Sequence, residues 1–210
     1  MSSLVIVDSG SANLNSICKA AEMVSLKAII SDRPQEIAAA KAVIFPGVGS
    51  FNHAATALRD KQLTVALLQV IADQKPFLGI CLGMQLLFSH SEEAIEIKEP
   101  AAGLKIIPGE VKRLPSNLHV PHVGWNKVSP VKDHPLFEGL TDGAYFYFTH
   151  SYYVQPADNK HTLALTDYGF SFTSAVAENN VLGVQFHPEK SGPAGLRLLG
   201  NFGKIIADHK

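Results

Sequence analysis

The sequence predicts an α/β fold: a single domain built on a mostly parallel sheet flanked by helices, with an antiparallel extension. Three observations carry this reading. Short apolar runs alternate with helical patterns through the first half, and aromatic and β-branched segments replace them after Gly103. An apolar fraction of 46% in 210 residues also supplies enough material for one core. The runs at residues 4–7, 28–30, 42–45 and 77–80 carry no charge, as strands buried on both faces require. Residues 13–24 and 51–73 between them space their apolar side chains helically, which makes βα units. Residues 145–153 and 175–186 read as antiparallel strands, the second broken by Glu178-Asn179-Asn180 at a hairpin turn. The tail, residues 191–210, opens with Ser-Gly-Pro and carries Leu196, Leu199, Phe202, Ile205 and Ile206 at the spacing of a last helix docked on the sheet. No repeat, low-complexity stretch or linker divides residues 1–210, so one domain is expected.

Composition narrows the function. A formal net charge of -1 gives no basic field to gather nucleic acid or an anionic membrane. Small-molecule and protein partners are expected instead. Two cysteines, Cys18 and Cys81, do not make a disulfide framework and suit a reducing cytoplasm. The first residues enter an apolar strand with no basic leader, and no apolar run approaches the roughly 20 residues of a membrane span. A soluble, cytoplasmic, unprocessed chain is therefore expected.

The chemistry centres on Cys81. Residues 76–80 read as a buried strand that delivers this cysteine directly into a helical pattern over residues 82–88, with Gly79 and Gly83 two positions to either side. This is the nucleophile-elbow pattern with sulfur in place of oxygen. A sharp strand-to-helix turn strains its corner residue, and side chains two positions away would collide across it. Unpaired N–H groups at the helix start favour the thiolate. Cys18, on one helical stripe with Leu14, Ile17 and Ala21, reads as a core residue.

The strand over residues 181–186 ends in His187-Pro188-Glu189. If the chain stays extended, His187 and Glu189 project to the same side, and a carboxylate there would hold the imidazole's tautomer. Such a tripeptide carries little alone; the elbow gives it weight and completes a Cys, His, Glu triad. After the strand at 42–45, Pro46-Gly47-Val48-Gly49-Ser50 lacks the third glycine of a dinucleotide fingerprint and the Gly-Lys-Ser/Thr of a P-loop. Beside an elbow cysteine, it can instead present a backbone N–H to a developing oxyanion, with Leu82 N–H as the second donor. Gln85 lies one helical turn beyond Cys81 and can meet the polar end of a substrate. His119 and His122 straddle Pro121 without a cysteine or carboxylate cluster, so no metal and no cofactor are assigned.

Together, PGVGSF at 46–51, GICLGMQ at 79–85 and HPEKS at 187–191 resemble the motifs of the class I, triad-type glutamine amidotransferases, over nearly the whole chain. ANLNS at 12–16, PHVGWN at 121–126 and YFTHSYY at 147–153 are similar to segments of the histidine-pathway branch of that class. The resemblance implies glutamine hydrolysis through a Cys81 thioester, with His187 and Glu189 as base and orienter and with ammonia passed to a partner. By motif position it implies Val48 and Leu82 as oxyanion donors and Gly49, Gln85, Ser151 and Tyr152 around glutamine. Asn13, Trp125, Tyr147 and Lys190 would face a TIM-barrel cyclase in a heterodimer. Two departures stand out. Ser9-Gly10-Ser11-Ala12-Asn13-Leu14 replaces the usual Tyr-Gly-x-Gly-Asn-Leu, and Lys105 replaces the second glycine of Gly-Leu-Gly. The glutaminase of another synthase, such as pyridoxal phosphate synthase, and a stand-alone γ-glutamyl hydrolase share the general architecture.

Overall fold

The computed structural model describes residues 4–10, 12–94, 102–140 and 143–209. Ser11 of the N-terminal departure, the first three residues and Lys210 at the end of the tail lie outside that set. The first half supplies β1 (Leu4–Val7), α1 (Leu14–Met23), β2 (Ala28–Ser31), α2 (Pro34–Ala38), β3 (Ala42–Gly47), α3 (Phe51–Asp60), α4 (Leu63–Ala72), β4 (Phe77–Cys81) and α5 (Leu82–Gln85). The second half supplies β5 (Gly109–Arg113), β6 (His122–Pro130), β7 (Ala144–His150), β8 (Tyr152–Pro156), β9 (Thr162–Asp167), β10 (Ser171–Glu178), β11 (Val181–Val184) and α6 (Gly192–Asp208).

The sheet runs β2-β1-β3-β4-β11-β10-β9-β6-β7, parallel as far as β11 and antiparallel beyond it, with β5 and β8 pairing beside β10. Every residue of β1, β3 and β4 is buried, which is why these strands read as unbroken apolar runs. Their side chains alternate between two cores. Val5, Val7, Val43 and Phe45 join Leu58, Leu63, Leu67 and Val70 of α3 and α4 on one face. Leu4, Ile6, Ile44 and Ile80 meet Ile17 of α1 and Leu198, Leu199 and Phe202 of α6 on the other. Each large side chain buried this way contributes roughly 1.5–3 kcal/mol. Cys18 packs half-buried at the margin of the second core, its thiol pushed up by burial and by neighbouring Glu22.

The hairpin forms where the sequence places it: β10 and β11 pair through a two-residue turn, with Asn179 at φ 51°. Two helical expectations change. The pattern over 51–73 divides at Gln62, which sits at φ 57° and starts a new helix so that Leu63, Leu67 and Val70 join the cluster that Leu58 occupies. The helix expected over 82–88 closes after one turn, because the carbonyls of Leu86 and Leu87 accept instead from Leu104 and Ile106 of a returning segment. One turn carries little macrodipole, so any help to the sulfur comes from local N–H groups. Lys105 adopts φ 57°, a conformation glycine takes freely, so lysine here costs backbone strain of about 1 kcal/mol or more.

The elbow is enforced sterically. A Cβ at Gly83 would lie 1.8 Å from the Phe45 carbonyl oxygen, and one at Gly79 would lie 2.7 Å from the Gly83 carbonyl oxygen. Backbone has nowhere to give at these separations. Gly83→Ala should therefore cost at least about 3 kcal/mol of stability. Gly200→Ala is the control: an added Cβ in α6 meets only Val24 at 3.9 Å, and the helix should gain up to about 1 kcal/mol. Urea unfolding midpoints of the two variants check both signs.

Candidate active site

Three parallel strands end at one place. β3 sets Gly47 beside Cys81, and β11 runs alongside β4 so that Gln185 and His187 emerge next to the elbow. Cys81 itself has φ 55° and ψ -111°, far from the wells a side-chain-bearing residue prefers, a strain typically of ~1–3 kcal/mol. Its sulfur accepts a hydrogen bond from Gln185 Nε2 at 3.5 Å.

His187 and Glu189 come together by a different route from the extended one expected. β11 stops at Val184, and residues Pro188–Lys190 form a 3-10 turn that brings the Glu189 carboxylate back to the ring. His187 Nδ1 donates to Glu189 Oε1 at 2.8 Å, and both side chains are almost fully buried. That bond fixes the tautomer and leaves Nε2 buried and without a hydrogen-bond partner among the described residues. Burial opposes charge on this ring, but the Cys81 sulfur and the Glu189 carboxylate outweigh it and raise the His187 pKa to about 10. The imidazole is thus held as a proton donor. Ser191 Oγ locks the turn, donating to the His187 carbonyl at 2.6 Å and accepting from Tyr147 N–H at 3.0 Å.

A cavity of about 270 Å³ opens over the sulfur. It is lined by Val48 and Leu82, the expected oxyanion donors, and by Gly49, Gln85, Ser151 and Tyr152, the residues expected around the substrate. A larger groove of about 1010 Å³ lies elsewhere, between α2 and α4, with Val65, Leu68, Ala66 and Leu104 in its wall and no cysteine or histidine among its lining residues. Gly49 sits at φ +99°, a hinge conformation that lets the neighbouring peptide turn. Gln85 is more constrained than a free substrate ligand: its Nε2 donates to the Tyr152 carbonyl at 3.0 Å and to Gln185 Oε1 at 3.1 Å. Only its oxygen is left to face a ligand.

The expected partner-facing residues divide. Trp125 and Tyr147 are register partners on β6 and β7, with rings 6.3 Å apart edge-on, and Lys190 Nζ lies 5.6 Å over the Tyr147 ring. Trp125 is 55% exposed, and Val123 of β6 and Tyr145 of β7 are exposed as well. Asn13 acts locally, since its side-chain oxygen accepts from Ser16 N–H and caps α1.

Sequence reasoning missed three participants. Gln185, fully buried, was legible as an amide inside the apolar run 181–186. Glu93 lines the cavity and accepts from Phe51 N–H at 2.5 Å, yet no spacing ties it to Cys81. His150 also lines the cavity and carries no motif of its own outside YFTHSYY.

Comparison with known proteins identifies relatives of the chain. The family model for class-I glutamine amidotransferases matches residues 5–205. The imidazole glycerol phosphate synthase subunit HisH of Moorella thermoacetica is 45% identical over 98% of this chain and 96% of its own length. The subunit of that name from Methanothermobacter thermautotrophicus is 47% identical over 97% of this chain and 98% of its own length. Among solved structures, a glutamine amidotransferase superposes with a TM-score of 0.75 at 18% identity, covering 97% of this chain and 98% of that one. The PurLQS structure from Thermotoga maritima gives 0.72 at 15%, covering 96% and 97%. At such identities these two speak for the fold alone.

The raised His187 pKa yields a spectroscopic test. Because the folded value lies above the ordinary one, the ring should stay protonated up to about pH 10 and show no titration between pH 6 and 8. Cys81→Ala removes one of the two groups that hold the proton, so burial should then pull the pKa down. Histidine NMR titrations of both proteins check the direction.

Proposed function

The chain belongs to the class I glutamine amidotransferase family, and on that footing we propose that Cys81, His187 and Glu189 hydrolyse glutamine to glutamate and ammonia. The observation that carries this is the strained Cys81 at the floor of a small cavity, backed by a buried His187–Glu189 pair. The sulfur attacks the side-chain amide carbon, and the negative oxygen meets the Val48 and Leu82 N–H groups. The carbon–nitrogen bond breaks as His187 gives its proton to the departing ammonia, leaving a thioester. Water then attacks that thioester, His187 takes the water's proton, and glutamate leaves with the sulfur restored. Gly49, Gln85, Ser151 and Tyr152 hold the substrate, and the Glu93 carboxylate complements its α-ammonium group.

Residues 1–210 form one amidotransferase domain, the glutaminase subunit of imidazole glycerol phosphate synthase in histidine biosynthesis. Its ammonia passes to a TIM-barrel cyclase that makes imidazole glycerol phosphate and aminoimidazole carboxamide ribonucleotide. The two subunits form a heterodimer in the cytoplasm. The exposed Trp125, with Tyr147 and Lys190, supports a partner face there, and Asn13 is assigned to the same face. Among the described residues no helix is long and apolar enough to cross a membrane.

Cys81→Ala should abolish glutamine-dependent turnover while leaving partner binding and ammonia-dependent synthesis intact, since the cyclase needs only ammonia. His187→Ala should lower glutaminase kcat by roughly 10⁶ and Glu189→Ala by closer to 10⁴, because water can partly replace an orienter but not a proton carrier. Equal or reversed losses would count against those roles. The free subunit should be nearly inactive. Capture of Lys190 by a partner carboxylate would shift the turn holding Glu189, and rotation at Gly49 would deliver the Val48 N–H, an oxyanion donor worth ~100–1,000-fold. Glutamate release from the subunit, the complex and the complex with cyclase ligand measures this; equal rates in all three would refute it.

A further inference from the structure

Behind the cavity wall the structure holds a line of hydrogen bonds with only one consistent direction. Its first member is Asn126, whose amide cannot be flipped: Nδ2 donates to the Asp167 carbonyl at 2.8 Å while Oδ1 accepts from Lys127 N–H at 2.7 Å. The same Nδ2 lies 3.3 Å from His122 Nε2, His122 Nδ1 lies 2.9 Å from His150 Nε2, and His150 Nδ1 lies 2.8 Å from the Tyr152 carbonyl oxygen. A carbonyl only accepts, so His150 Nδ1 carries its proton. Burial holds His150 at a pKa of about 3, where the Tyr152 bond fails to offset it, and holds His122 at about 4. Both rings are therefore neutral at physiological pH. His150 Nε2 is then bare and accepts, His122 Nδ1 must donate, and His122 Nε2 accepts from Asn126.

The line does not stop at Tyr152. That carbonyl also accepts from Gln85 Nε2, which donates in turn to Gln185 Oε1, whose own Nε2 donates to the Cys81 sulfur. We propose that His122 and His150 are positioning residues for glutamine: the chain from Asn126 through both imidazoles sets the Tyr152 carbonyl, and through it the Gln85 and Gln185 amides, around the substrate. This role rests on the glutaminase reading above. It also joins the cavity to β6, where Asn126 is the neighbour of exposed Trp125.

His122 has a competing structural role, because its ring is stacked 4.0 Å from Tyr168 and 4.9 Å from Phe148. Two variants separate the roles. His122→Phe keeps the stack and deletes the donor; His122→Asn abandons the stack and keeps a donor nitrogen at the position of Nδ1. The positioning role requires His122→Phe to raise the glutamine KM of the cyclase complex about five- to tenfold, the worth of roughly one hydrogen bond, with kcat changed less than about threefold. His122→Asn should then stay near the wild-type KM. A merely structural ring gives the opposite order, and that result would overturn the proposal. Thermal unfolding of each variant establishes that it is folded, and nitrogen NMR on labelled histidines supplies a readout independent of turnover. Both rings should be Nδ1–H tautomers in the wild-type chain, and in His122→Phe the His150 ring should keep its Nδ1–H against the Tyr152 carbonyl while its Nε2 resonance shifts as the hydrogen bond it accepts is lost. Finding Nε2–H tautomers in the wild type would overturn the proposal regardless of kinetics. A wild-type complex that shows the Nδ1–H tautomers but releases no glutamate would instead overturn the glutaminase reading, and the substrate role with it.

Discussion

The architecture of the site depends on one close approach, the contact between the backbone of Gly83 and the Phe45 carbonyl. It lets α5 start directly over β3, which in turn forces Cys81 into its positive-φ corner. The strain there is of the order of one or two hydrogen bonds. It is sustained because β4 lies at the centre of the sheet, between β3 and β11, with both faces covered. Two strands and a helix would all have to move for the corner to relax. The sulfur consequently occupies a fixed point to which the Gly47–Gly49 loop, the Gln185 amide and the His187 ring can be aligned.

Three histidine rings near that point share the same burial and are tuned in opposite directions by their partners. His187 lies between the Cys81 sulfur and the Glu189 carboxylate, so its proton is retained; His122 and His150 have only carbonyls, amides and aromatic rings, so theirs is expelled. In the proposed reaction a positive ring is needed where ammonia departs, and a neutral ring is needed where hydrogen bonds must point one way. His150 also feels the charge of His187, which helps keep it neutral. The division of labour thus arises from the partners of each ring, since burial alone would push all three the same way.

Much of this was legible in the sequence. The apolar runs located β1 to β4, the spacing of Gly79 and Gly83 identified the corner, and the three motifs with YFTHSYY gathered every cavity residue assigned to the oxyanion or to glutamine except Glu93. What escaped was set by long-range contacts. The shortening of α5 follows from carbonyls captured by residues 104 and 106, well downstream in the chain. Glu93 reaches the cavity from a segment with no periodic link to it. The proximity of His187 and Glu189 came from a turn where period-two alternation pointed to an extended strand, so the right pair was reached through the wrong geometry. Lys105 was a bare departure in the sequence; its positive φ supplies the reason that glycine is at home in that position.

The corner conformation of Cys81 also limits what evolution can install there. At φ 55° a residue branched at Cβ meets its own backbone, so threonine is excluded on shape alone, while serine matches cysteine atom for atom. Serine would keep the turn and the hydrogen bond from Gln185, but its hydroxyl ionises far less readily than a thiol. The neighbouring imidazole would then have no anionic oxygen beside it to sustain its proton. The backbone thus admits two nucleophiles, oxygen and sulfur, and of the two it is the thiol that ionises more readily beside the histidine that the fold places next to it.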